Sequence, residues 1–153
     1  MANLTWDQFF INLAKETSKK SKDKSTKVGA VIVGQDNEVL SIGFNGLPRG
    51  VDDSNEKYHE RPLKYSVVSH AEVNCIYNAA RQGIKLYGAR LYINYTPYCV
   101  CCECAKAIIQ SGIRQVIGPN LDFPGVGGHW KNNLQISSSL LKEVGVRMVV
   151  DGV

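Results

Sequence analysis

Residues 28–44 read VGAVIVGQDNEVLSIGF. The run from Val28 to Val33 is unbroken and apolar, the pattern of a strand buried on both faces. Gln35, Asp36 and Asn37 supply turn chemistry, and residues 39–44 return as a second strand. Such a hairpin makes an antiparallel pair. On its N-terminal side, Thr5 and Gln8 form a capping-box pattern, and Phe9, Phe10, Leu13 and Ala14 give one apolar face to a helix over about 5–18. On its C-terminal side, residues 45–69 carry Gly, Pro, Asp and Asn with no clean period, and a loop of that length is usually functional. A helix follows over about 70–82, with Ser69 as N-cap and Gly83 beyond its end. Then come a strand at 91–95, a helix at 102–111 with Ala105, Ile108, Ile109 and Gly112 on one face, and a strand at 115–117. A Gly/Pro loop at 119–132, a helix at 134–144 and a strand at 146–150 complete the chain. The order α-β-β-α-β-α-β-α-β predicts a single α/β domain over 1–153, a three-layer α/β/α sandwich around one mixed five-stranded sheet.

Composition sets the class. The chain has 153 residues, 44% of them apolar and 21% charged, enough for one domain with a real core. No apolar run approaches the ~18 residues a membrane helix requires. Met1 to Asp7 has neither the basic start nor the apolar stretch of a signal peptide, so a cytoplasmic protein is expected. The net charge is +4, with Lys15, Lys19, Lys20, Lys22, Lys24 and Lys27 clustered together. Most of that run reads as a solvated helix end and loop. Without a sizeable aromatic-basic platform, no nucleic-acid partner is expected.

The five cysteines are Cys75, Cys99, Cys101, Cys102 and Cys104. An odd, clustered set makes a poor disulfide framework and points to a metal or to catalysis, whereas Cys75 reads as a small buried hydrophobe. His70-Ala71-Glu72 opens one predicted helix and Cys101-x-x-Cys104 opens the next. One imidazole and two thiolates suit Zn2+, with a fourth position left for water. Glu72 lies about 200° round the helix from His70. It is therefore placed to move protons beside that water rather than to bind the ion.

His-x-Glu followed by Cys-x-x-Cys is the pattern of zinc deaminases of nucleobases. The chain resembles the deoxycytidylate (dCMP) deaminase family of the cytidine deaminase-like superfamily. The resemblance spans about residues 5–118. It is carried by Thr26-Lys27-Val28-Gly29-Ala30-Val31, Gly43-Phe44-Asn45-Gly46, Lys64-Tyr65, His70-Ala71-Glu72-Val73-Asn74 and Cys104-Ala105-Lys106-Ala107-Ile108-Ile109-Gln110.

The resemblance implies hydrolytic conversion of dCMP to dUMP and ammonia, feeding thymidylate synthesis. It also implies zinc on His70 and two cysteines, with Glu72 as the catalytic proton shuttle. Asn45 would contact the deoxyribose, the Ala71 N–H the pyrimidine carbonyl, and Lys27 the sugar-phosphate. It further implies a homo-oligomer, often a hexamer, regulated by dCTP and dTTP through the Asn45 turn and the loop after it.

One departure bears on the ligands. The family has proline before its first zinc cysteine, and here Val100 stands before Cys101. Counting from the helix makes Cys101 the partner of Cys104; counting from Pro97 makes it Cys99. Binding by His70, Cys99, Cys101 and Cys104 together would instead close a structural zinc site, a binding module rather than an enzyme. Another base, such as a 5-substituted dCMP, is the alternative substrate.

Overall fold

A computed structural model describes residues 2–95, 100–119 and 128–151. Strand β1 (Gly29–Val33) is buried at every position. It pairs antiparallel with β2 (Val39–Phe44) through a turn in which Asn37 takes φ 64°, a left-handed conformation that asparagine tolerates. β1 pairs antiparallel on its other side with β3 (Arg90–Ile93), and β3, β4 (Gln115–Pro119) and β5 (Arg147–Asp151) are mutually parallel. The sheet order is β2-β1-β3-β4-β5. Because β1 opposes both neighbours, the other four strands all run the same way, and every helix that follows one of them starts at the same end of the sheet.

Helix α1 (Trp6–Ser18) has the predicted capping box, with Thr5 accepting from the Gln8 N–H and Gln8 reaching back to the Thr5 N–H. It packs Phe10, Ile11 and Ala14 on Val31, Val33 and Tyr92, one face of the sheet. The opposite face carries α3 (Ala71–Gln82), α4 (Cys102–Ser111) and α5 (His129–Glu143), whose buried residues join Ala30, Ile32, Leu91 and Val116. The three-layer sandwich and its mixed sheet match the expectation.

Three expectations change. The segment 45–69 holds a 3-10 turn at Glu56–His59 and a short helix α2 (Leu63–Val67). Ser69 is not the cap of α3: its backbone exchanges two hydrogen bonds with Gly46 in an isolated antiparallel bridge, and His70 is the N-cap residue. Helix α5 begins at His129 rather than 134. The lysines of the run are exposed, as expected, and two of them, Lys22 and Lys24, meet Asp53 and Glu56 of the 45–69 connection in surface ion pairs.

Gly43 lets α3 lie directly on β2. A Cβ there would sit 2.5 Å from the Cys75 N and 2.9 Å from the Ala71 O, both rigid helix backbone. Gly43→Ala therefore has to push α3 off the sheet. Its expected cost is roughly 1–3 kcal/mol, the usual range for overpacking, read as a lower denaturant midpoint; an unchanged midpoint would contradict this packing.

Candidate active site

β2 ends at Phe44 and β3 at Ile93, so the connections that follow both emerge at the same end of the sheet. The Gly46–Ser69 bridge then brings the chain to His70, whose extended backbone (ψ 155°) starts α3. Cys101 starts α4 in the same conformation (ψ 164°), and its sulfur accepts from the Cys104 N–H. At both helix starts the first backbone N–H groups have no acceptor within the helix and carry a partial positive charge, which favours thiolate over thiol.

The result is a cluster. His70 Nδ1 lies 3.4 Å from Cys101 Sγ and 3.5 Å from Cys104 Sγ, and all three atoms fall within 4.8 Å of one another. A tetrahedral zinc at about 2.0–2.1 Å from nitrogen and about 2.3 Å from sulfur sets its N and S ligands about 3.6 Å apart. The donor types and spacings therefore fit zinc. Cys104 and His70 hold the Cys101 thiol down at about 4, while contact with Cys101 holds His70 up at about 9. Cys104 is raised, because it donates to the Cys101 sulfur and is buried. The cluster thus shares protons among three good ligands, and a metal ion displaces them.

Cys99 lies outside the described residues. Cys102 points elsewhere: its N–H and its sulfur both bond Asn133 of α5, at 3.0 Å each. Cys75 is fully buried, with its thiol pushed up to about 12 by burial, in keeping with a core residue.

His70 and Cys101 of the cluster line a cavity of about 310 Å³, the scale of a small-molecule site. Glu72 lines it from the first turn of α3, 8% exposed, and burial raises its carboxyl above the ordinary value. Ala71 and Asn45 line it as well. The Asn45 side chain is clamped, accepting from the Val28 N–H and donating to the Thr26 carbonyl. Lys27 differs from expectation: it is exposed and does not line the cavity. Arg61 and Lys64 do.

Lys64 forms a buried ion pair with Asp23 at 2.9 Å. Burial pushes the Asp23 carboxyl up, but the Lys64 ammonium and the N–H groups of Thr26 and Ser25 outweigh it and hold the carboxyl below its ordinary value. Sequence reasoning missed Asp23, Arg61 and Trp130, since none stands in a motif. Thr26, Val28, Lys64 and Tyr65, which also line the cavity, belong to the stretches that resemble the family.

The match to known proteins follows the same residues. Residues 4–118 match the model of the cytidine and deoxycytidylate deaminase zinc-binding region. The chain is 38% identical over 119 residues to the deoxycytidylate deaminase of Pongo abelii, a match covering 74% of this chain and 64% of that protein. It is 38% identical over 145 residues to an uncharacterized deaminase of Aliivibrio fischeri, covering 94% of this chain and 91% of the relative. The dCMP deaminase of cyanophage S-TIM5 shares the fold. Its apo structure gives TM-score 0.69 at 25% identity, covering 95% of this chain and 96% of that one; its complex with dCMP and dUMP gives 0.74 at 23%, covering 99% and 100%.

The ligand set predicts metal content. Cys101→Ser and Cys104→Ser should each fall from about one zinc per chain to near none by atomic absorption, whereas Cys102→Ser should keep its zinc. Zinc retained in both of the first two variants would contradict the assignment.

Proposed function

The chain belongs to the cytidine and deoxycytidylate deaminase zinc-binding family, and from that premise we propose that it is a zinc-dependent hydrolase converting a cytosine mononucleotide, dCMP, to dUMP and ammonia. The observation that carries this reading is the cluster of His70, Cys101 and Cys104 at the wall of a cavity that the buried carboxyl of Glu72 also lines. A purely structural zinc site would have no use for that carboxyl. The curated relatives named deoxycytidylate deaminase support the substrate, and so does the shared fold of a cyanophage enzyme solved with dCMP and dUMP.

Zinc held by His70, Cys101 and Cys104 supplies Lewis acidity that brings a water's pKa towards ~7. The chain's own residues do the rest. Glu72 accepts a proton from the attacking water and delivers it to ring N3, then takes the proton of the new C4 hydroxyl and delivers it to the departing amino nitrogen. A carboxylate whose pKa is raised by burial suits that alternation between base and acid. The Ala71 N–H, at the start of α3 where no helical acceptor is available, binds the pyrimidine carbonyl. Asn45, fixed by its two backbone bonds, contacts the deoxyribose. Arg61 and Lys64 place positive charge on the cavity wall for the monophosphate. Water replaces the C4 amino group, so atoms balance as dCMP plus water to dUMP plus ammonia.

A homo-oligomer, a hexamer in this reading, with dCTP and dTTP acting through residues 45–53, belongs to the same proposal. Asn45 stands on the cavity wall and is continuous with that segment. Among the described residues no helix is long and apolar enough to cross a membrane.

Glu72→Gln tests the mechanism. The variant should keep its zinc and its fold while kcat for dCMP drops by at least about 10²–10⁴, the usual share of acid–base catalysis. Undiminished turnover in a zinc-loaded Glu72→Gln protein would remove Glu72 from the chemistry.

A further inference from the structure

The family match ends at residue 118, yet two residues beyond it, Trp130 and Leu134 of α5, also line the cavity. Helix α5 is docked by specific bonds. Ser137 Oγ donates to the Val100 carbonyl at 2.6 Å, and Asn133 takes both the N–H and the thiol of Cys102. Trp130, Leu134, Ser137 and Leu141 follow one another at i, i+4, i+7 and i+11, one face of the helix. Leu134, Ser137 and Leu141 are buried on the core side. The same face, one turn further towards the N-terminus, carries the indole over the active site.

Its neighbours fix where on the cavity it stands. The Trp130 ring centroid lies 6.4 Å from the ring of His70 and 6.5 Å from the ring of Tyr65, which meets it edge-on. Trp130 is therefore beside a metal ligand, at the end of the cavity where the reacting carbon of the base must come. A cytosine presenting C4 to that end has two unlike flanks. N3 and O2 form a polar flank that needs Glu72 and a backbone N–H. C5 and C6 form an apolar flank with nothing to hydrogen-bond. Trp130, Leu134 and Val100 are apolar members of the cavity lining, and matching like with like turns C5 towards them.

We propose that Trp130 is a specificity-determining residue that closes the C5 flank of the base pocket, so that α5 selects the 5-substituent of the cytosine nucleotide. This rests on the reading of the site as a cytosine-mononucleotide deaminase.

Two measurements test it. In the first, kcat/KM is compared for dCMP and 5-methyl-dCMP in the zinc-loaded wild type, Trp130→Phe and Trp130→Ala. Opening the flank should raise the ratio of 5-methyl-dCMP to dCMP about tenfold in Trp130→Ala, the scale at which a pocket senses one methyl group, with Trp130→Phe between. Equal losses for both nucleotides would mean a merely structural role and overturn the proposal.

The second measurement needs no variant at position 130. The chain has two tryptophans, and Trp6 stacks with Phe10 on the α1 side of the sheet. In Trp6→Phe the remaining emission comes from Trp130 and should change saturably with dCMP. If this protein deaminates dCMP while neither emission nor the nucleotide ratio moves, the Trp130 proposal fails and the dCMP reading stands. If the wild type releases ammonia from no cytosine mononucleotide and the emission is also silent, both fail.

Discussion

One strand running against the others organises this protein. β1 is antiparallel to both of its neighbours, which leaves β2, β3, β4 and β5 pointing the same way. The helices after β2, β3 and β4 consequently all begin at the carboxyl end of the sheet, where ligands bind in open α/β folds. α3 brings His70, Ala71 and Glu72, α4 brings Cys101 and Cys104, and α5 brings Trp130. Residues some sixty positions apart in sequence meet because topology puts three helix starts at one place. The helix starts also contribute electrostatically, since thiolates gain from the partial positive charge there.

The remaining walls come from irregular chain made rigid by polar bonds. Asp23 accepts from the N–H groups of Ser25 and Thr26, and the Lys64 ammonium meets the same oxygen. Asn45 ties the Thr26 and Val28 backbone to the end of β2. The segment after α1 and the long 45–69 connection are thus fastened to each other as well as to the sheet. A cavity wall built from loops has few apolar contacts to hold its shape. A buried ion pair with additional backbone hydrogen bonds supplies the direction that packing does not.

Regular elements and motif residues were legible because their signals are local. The capping box of α1, the hairpin turn at Asn37 and the bounds of α4 follow from residue types within a few positions of each other. His70, Glu72, Cys101 and Cys104 were legible because metal chemistry restricts residue type and spacing. What escaped is what depends on tertiary partners. The five residues of α2 are too few to show a period. Ser69 resembles an N-cap, but the bridge to Gly46 claims its backbone. Lys27 resembles a phosphate contact by its place in a motif, yet it is exposed and outside the cavity lining, to which the 45–69 connection contributes the cations Arg61 and Lys64. Trp130 follows a Gly/Pro-rich stretch, and nothing in its neighbours announces that α5 starts early enough to reach the site.

The most direct measurement is ammonia release by zinc-loaded protein offered dCMP, CMP, deoxycytidine, dCTP and guanine in parallel. Ammonia and dUMP are expected in equal amounts from dCMP, with far less product from deoxycytidine, which offers no phosphate to Arg61 and Lys64. Stoichiometric zinc with no ammonia from any cytosine mononucleotide would contradict the deaminase reading.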